Sequence, residues 1–100
     1  MIHIKAGVRL HGIKPEIVLA IIIADQVYAD LGHELVLTSV IDGKHMRASI
    51  HYVGGAVDFR LPGDDGIAAR NRIARRVGED FDVVLESDHI HIEWQPKDSY

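Results

Sequence analysis

Two short clusters of histidine and acidic residues contain the side chains of this sequence that can perform chemistry. The first occupies residues 49–58, and the second occupies residues 88–94, about thirty positions later. Zinc binds imidazole nitrogen and carboxylate oxygen, and a catalytic zinc site has three protein ligands and an open fourth position for water. His51, Asp58 and one histidine of the second cluster meet that count. The two clusters therefore predict a zinc site.

The spacing within the first cluster requires a turn. His51 and Asp58 are seven positions apart, and a straight strand would place their side chains on opposite faces. Gly54 and Gly55 lie between them, and glycine reaches the positive φ angles that let a chain fold back on itself. We therefore expect a turn at this glycine pair to bring both side chains to one metal ion.

The second cluster is expected to form a strand with one polar face and one apolar face. Successive side chains of a strand point to opposite sides, so alternate residues share a face. The polar face holds His89, His91 and Glu93, and the apolar face holds Ile90, Ile92 and Trp94. A reactive surface is thus predicted directly above the hydrophobic core.

A zinc site that hydrolyses an amide lowers the pKa of its bound water to near 7 and needs a general base within reach of that water. Asp88 and Glu86 are both candidates for this base. Asp88 lies three positions before His91, where strict alternation turns it away from the metal. It can serve only if the chain bends at Ser87 and Asp88.

Further polar residues lie close in sequence to the expected ligands. These are His45, Arg47 and His89, and one of them could hold a substrate carboxylate or the oxyanion that develops at an attacked carbonyl. Ser49 is expected to orient the ligand loop through a hydrogen bond, because metal ligands need support from a second layer of side chains.

Composition limits the classes of function. The 100 residues suffice for one domain, and the 11 basic and 15 acidic residues give a net charge of −4, which disfavours nucleic-acid binding. Without cysteine, a disulfide, a thiolate metal site and a cysteine nucleophile are all excluded. The longest apolar run, residues 17–24, is too short for membrane insertion. Residues 1–5 show no secretory signal pattern, so we expect synthesis in the cytoplasm.

Proline and glycine divide the chain into helices and strands. Pro15 suits the first turn of a helix and Gly32 suits its end, and the loop at residues 62–66 offers an acidic N-cap for a second helix. The order of the predicted helices and strands indicates a single α+β domain with two main helices and a mostly antiparallel sheet. Residues 94–100 are expected to form a loose tail. The predicted elements are a helix over 15–31, strands over 35–40 and 55–61, a helix over 67–77, and a hairpin of strands over 81–85 and 89–94.

The two clusters together resemble a known family. Residues 49–58 follow the pattern Ser-x-His-x-x-Gly-x-Ala-Val-Asp, and residues 88–94 read Asp-His-Ile-His-Ile-Glu-Trp. These motifs are similar to those of peptidase family M15, the zinc D-Ala-D-Ala carboxypeptidases, which include phage endolysins that cut the L-alanyl-D-glutamate bond and the vancomycin-resistance dipeptidases. The resemblance covers residues 15–94 and implies the fold that this family shares with the Hedgehog signalling domain.

The resemblance implies a role for each matching residue. His51, Asp58 and His91 would be the zinc ligands, and Asp88 would be the catalytic base. Glu86 keeps the choice of base open, because Hedgehog-like relatives place their acid further upstream. The remaining implied site residues are His89 on the oxyanion side, and Arg47, His45, Ser49 and Tyr52 as contacts to substrate.

Three functions remain at this stage. The resemblance implies a zinc metallopeptidase of cell-wall degradation, acting on a peptidoglycan stem peptide or a D-Ala dipeptide, in which an acidic base activates the zinc-bound water. This sequence fits a phage or prophage enzyme that reaches the cell wall through another factor, and it fits a host dipeptidase nearly as well. The alternative is a non-catalytic, zinc-stabilised binding module of the same fold. A plain structural domain would bind no stoichiometric metal.

Overall fold

The computed structural model describes residues 1–41 and 55–96, which form a five-stranded sheet with two helices packed on one face. The predicted α+β class and the presence of two main helices are confirmed. In chain order the elements are β1 (Ile2–Ile4), α1 (Pro15–Asp30), β2 (Leu35–Ile41), β3 (Ala56–Arg60), α2 (Gly66–Val77), β4 (Phe81–Leu85) and β5 (His89–Trp94).

The strand order is β1-β2-β3-β5-β4, and three of the four pairings are antiparallel. The predicted hairpin of β4 and β5 is present with the predicted bounds. The sequence analysis missed β1, which pairs in parallel with β2 and makes the sheet mixed. Its three residues are too few to show a clear period of two, and only tertiary pairing with β2 makes them a strand.

Helix α1 crosses the sheet and supplies much of the core. Pro15 lies in its first turn, and the chain leaves the helix through Leu31 and Gly32, whose φ of +85° suits glycine. The core side contains Ile17, Ala20, Ala24 and Tyr28, spaced three to four residues apart. Within residues 1–41 and 55–96, neither helix is long and apolar enough to cross a membrane.

The start of α2 differs in one detail from the expected acidic cap. Asp65 occupies the N-cap position, but its side chain makes no capping hydrogen bond. Instead the His33 Nε2–H donates to Asp65 Oδ2 across 2.9 Å, and this contact ties the end of α1 to the start of α2. Asp65 therefore joins two loops rather than capping its own helix.

Tyr28 anchors α1 to the strand that carries the candidate site. Its ring meets Phe59 of β3 edge to face at 6.3 Å, and its hydroxyl donates to the Arg60 carbonyl oxygen across 2.8 Å. Burial raises the pKa of Tyr28, so the phenol stays protonated and remains a donor at physiological pH. The helix and β3 are thus joined by both apolar and polar contacts.

Tyr28→Phe is expected to destabilise the fold by about 1–2 kcal/mol, because it removes the buried hydroxyl and keeps the ring. Urea unfolding followed by circular dichroism measures the loss. Zinc content should not change, since Tyr28 lies on the core side of the sheet. An unchanged free energy of unfolding would contradict a stabilising role for this hydrogen bond.

Candidate metal centre

The alternation of β3 and β5 places a polar group on the sheet face opposite the helices. Val57 and Phe59 of β3 and Ile90 and Ile92 of β5 point into the core, so the residues between them point outward. Asp58 and His91 are direct cross-strand partners in this register. Side chains of such partners lie within contact distance on one face, so these two predicted ligands are neighbours.

His91 lies between two carboxylates. Its Nδ1 is 2.6 Å from Asp58 Oδ1, and its Nε2 is 2.9 Å from Glu93 Oε1. Ionised carboxylates only accept hydrogen bonds, so both ring nitrogens must carry hydrogen for both bonds to form. All three side chains are between one fifth and one quarter exposed. The centre therefore holds a partly buried imidazolium between two acids.

The pKa of His91 is raised by this arrangement. Burial acts to lower it, but the hydrogen bonds with Glu93 and Asp58 and the charges of both carboxylates more than offset the burial. A histidine pKa that is higher in the folded state stabilises the fold below its unfolded value of about 6.5. That stabilisation is lost as the pH rises through the folded-state pKa.

Metal-free protein is therefore expected to lose stability as the pH rises above about 6.5 and through the raised pKa of His91. Glu93→Gln should lower stability near pH 6 and make this decline shallower, because the His91 ring loses one of its two anionic partners. Urea unfolding with a chelator present measures both effects. The control is Glu34→Gln, which removes the acid from the exposed His3–Glu34 pair. A pH profile that is equal in wild type and Glu93→Gln would contradict the prediction.

His89 lies beside the same group. Its Nε2 is 3.8 Å from Asp58 Oδ1, and its Nδ1 is 2.6 Å from Asp88 Oδ1. Asp88 is 84% exposed, and the hydrogen bond from His89, together with the charge of that ring, lowers the pKa of Asp88. The chain bends at Ser87 and Asp88, in the turn between β4 and β5. It brings the Asp88 carboxylate back to the His89 ring.

The donor set fits zinc. One ligand atom from each of Asp58, His89 and His91 lies within 4.8 Å of the others, and imidazole and carboxylate are ordinary zinc ligands. Two ligand atoms of a tetrahedral zinc site lie roughly 3.3 Å apart, from metal–ligand distances of about 2.0–2.2 Å. The 2.6 Å contact between Asp58 and His91 must open slightly, and the 3.8 Å contact between Asp58 and His89 must close slightly. His91 must also release one proton.

The structure brings together some of the predicted site residues. Asp58, His91 and His89 form one group, with Asp88 bonded to His89. His89 thus lies where a third ligand can be, although the resemblance gave it an oxyanion-side role. Glu86 is exposed at the end of β4. The predicted ligand His51 and the predicted substrate contacts His45, Arg47, Ser49 and Tyr52 lie outside the described residues.

Glu93 and Arg60 adjoin the candidate site and were missed as site residues by the sequence analysis. Glu93 bonds His91, and Arg60 is the cross-strand partner of His89 on the same outer face. Both could have been found from the period of two in a strand: Arg60 is two positions after Asp58, and Glu93 is two after His91.

Comparison with known protein families, with curated proteins and with solved structures found no match. Assignment of the site therefore depends on the residues of this chain.

Proposed function

We propose that this chain is a zinc-dependent peptidase that hydrolyses a peptide bond of bacterial peptidoglycan. The observation that carries the proposal is the convergence of Asp58, His89 and His91 from two neighbouring strands into one group of zinc-type donors. The class of substrate comes from the resemblance of residues 49–58 and 88–94 to peptidase family M15. The same resemblance supports a fold of the DD-peptidase and Hedgehog type.

Asp58 and His91 are the two ligands common to every arrangement that we consider. The third ligand is His51 according to the resemblance, or His89 according to the geometry of the group. Zinc bound there would polarise the scissile carbonyl and make water acidic enough to be deprotonated near neutral pH. Both effects would assist attack on the unreactive amide carbonyl, and the amine must in addition receive a proton as it leaves.

The choice of third ligand decides the roles of the nearby acids. With His51 as ligand, Asp88 takes the proton from the attacking water and returns it to the leaving amine as the C–N bond breaks. His89 then donates to the carbonyl oxygen as negative charge develops there. With His89 as ligand, Asp88 instead orients its ring, as carboxylates commonly do for metal-bound histidines. Glu86 is then the remaining candidate for the base.

A rival function is a zinc-stabilised binding module without catalysis. The exposure of Asp88 favours it, because a carboxylate that is 84% exposed and bonded to His89 resembles a support for a metal ligand. In that case zinc contributes folding free energy alone, and removing the acid changes no reaction rate.

The test begins with protein purified without added metal. Zinc content is measured on it, and digestion of purified peptidoglycan is followed through released amino groups, with Asp88→Ala as the comparison. Bound zinc together with turnover supports the peptidase. Stoichiometric zinc without turnover on any wall peptide would establish the binding module instead, and absence of stoichiometric zinc would overturn both.

A further inference from the structure

An open cleft lies beside the candidate metal centre, between the turn that follows β1 and the strand β2. Its volume is about 450 Å³, which is within the usual range of ligand-binding pockets. Lys5 and Arg9 line one side, and Thr38 and Ser39 of β2 line the other. None of these four residues belongs to the group around Asp58, His89 and His91.

The cleft and the metal centre share a stretch of sheet. Ser39 of β2 is the cross-strand partner of Asp58 of β3, so the two side chains are neighbours on one face. The Thr38 hydroxyl donates to the Asp58 carbonyl oxygen across 3.3 Å. The pairing is irregular between Leu37 and Ser39, which turns both hydroxyl residues towards the cleft. A ligand in the cleft therefore lies next to the strand that carries Asp58.

The charge of the cleft selects an anion. Lys5 and Arg9 are exposed, and no ion pair joins either of them to another residue in the ranges 1–41 and 55–96. Their two positive charges lie together along the cleft, in a chain whose net charge is −4. Arginine and lysine recognise carboxylates through charge-assisted hydrogen bonds, and the Ser39 hydroxyl can add a neutral one, whereas the Thr38 hydroxyl already donates to the Asp58 carbonyl oxygen.

We propose that this cleft binds a carboxylate of the substrate peptide, with Lys5 and Arg9 as the cations that hold it. The proposal builds on the proposed function, because it gives a peptide bound at the metal centre a direction and an anchoring point. The carboxylate can be the C-terminus of the peptide or the side chain of an acidic residue next to the scissile bond. In either case, Lys5 and Arg9 determine specificity and take no part in the chemical step.

The first test measures binding to metal-free protein, so that it does not depend on catalysis. Acetyl-D-alanyl-D-alanine and its C-terminal amide are titrated into ¹⁵N-labelled protein and followed by amide chemical shifts. We expect the acid to shift signals of residues 5–9 and 38–40, and the amide to bind about tenfold more weakly or worse. Acetyl-L-alanyl-D-glutamic acid 1-amide, which keeps only the side-chain carboxylate, distinguishes the two sources of charge.

The variant Lys5→Met/Arg9→Met should weaken binding of the acid by about tenfold or more, since it removes both cations. The matched control is Arg72→Met/Arg75→Met, which removes two exposed cations from α2. Arg9→Met alone provides a milder change, and retained dispersion of the amide spectrum shows that each variant folds. Equal affinity of wild type and Lys5→Met/Arg9→Met, or no preference for an acid over the corresponding amide, would overturn the proposal.

The second test uses the zinc-loaded enzyme. Lys5→Met/Arg9→Met should raise KM for a peptide with a free carboxylate by about tenfold, while kcat and zinc content change little. An unchanged KM in an active enzyme would overturn the cleft assignment alone. A protein without zinc or turnover would overturn the proposed function, and the binding titration would then decide the cleft by itself.

Discussion

Asp58→Ala is expected to abolish stoichiometric zinc binding, and peptidase turnover with it. Asp58 is the residue that the sequence motif and the structure both place at the centre of the site. Its Oδ1 lies 2.6 Å from His91 Nδ1 and 3.8 Å from His89 Nε2. Loss of supporting residues around a metal ligand already costs about 10–100-fold in metal affinity, and loss of a ligand itself should cost more.

Zinc content after dialysis and thermal unfolding with and without zinc measure this effect. Wild type should gain thermal stability from zinc, because a metal that binds only the folded state shifts the folding equilibrium. Asp58→Ala should show no such gain. Asp64→Ala is the matched control, since Asp64 is exposed in the loop before α2. If Asp58→Ala retained zinc with wild-type affinity, the site would have to lie elsewhere.

The same measurement on His51→Ala and His89→Ala assigns the third ligand. If the motif resemblance is right, His51→Ala loses zinc and His89→Ala keeps it with reduced turnover. If the third ligand is instead His89, as the geometry of the described residues suggests, His89→Ala loses zinc and His51→Ala keeps it. His91→Ala should lose zinc in both cases, because His91 belongs to both ligand sets.

Asp88→Asn is expected to lower kcat by about 10²–10⁴-fold while zinc content is retained, which is the usual loss on removing a general base. The amide keeps the size of the side chain and can still contact the His89 ring, so the fold should not change. The hydrogen bond from His89 already holds the pKa of Asp88 below its usual value. The carboxylate is ionised at neutral pH, and the lowered pKa makes it a weaker base than an unperturbed aspartate.

Glu86→Gln is the matched comparison, because Glu86 is the other candidate base and is likewise exposed. A full loss of kcat in Glu86→Gln with near-normal turnover in Asp88→Asn would transfer the role of base to Glu86. Such a result would go with His89 as zinc ligand and Asp88 as its orienting carboxylate. Normal kcat in both variants would remove the general-base step from the mechanism.

Most of the architecture could be predicted because its signals are local. Pro15, Gly32 and Gly78 mark helix ends, and the alternation in β5 separates its polar face from its core face. The bounds of β4 and β5 were predicted correctly for this reason. β1 was missed because three residues carry too little pattern, and the parallel pairing that makes them a strand joins Ile2 to Leu35, far along the chain.

For the site, the sequence by itself determined the donor types and the outward direction of His89, His91 and Glu93, since a period of two follows from strand geometry alone. It did not determine which side chains meet. Only the tertiary structure decided that Asp58 and His91 are direct partners, and that the Lys5 and Arg9 cleft adjoins Asp58 through Ser39. These are contacts between distant segments, and they depend on strand order and register, which the packing of the whole core selects.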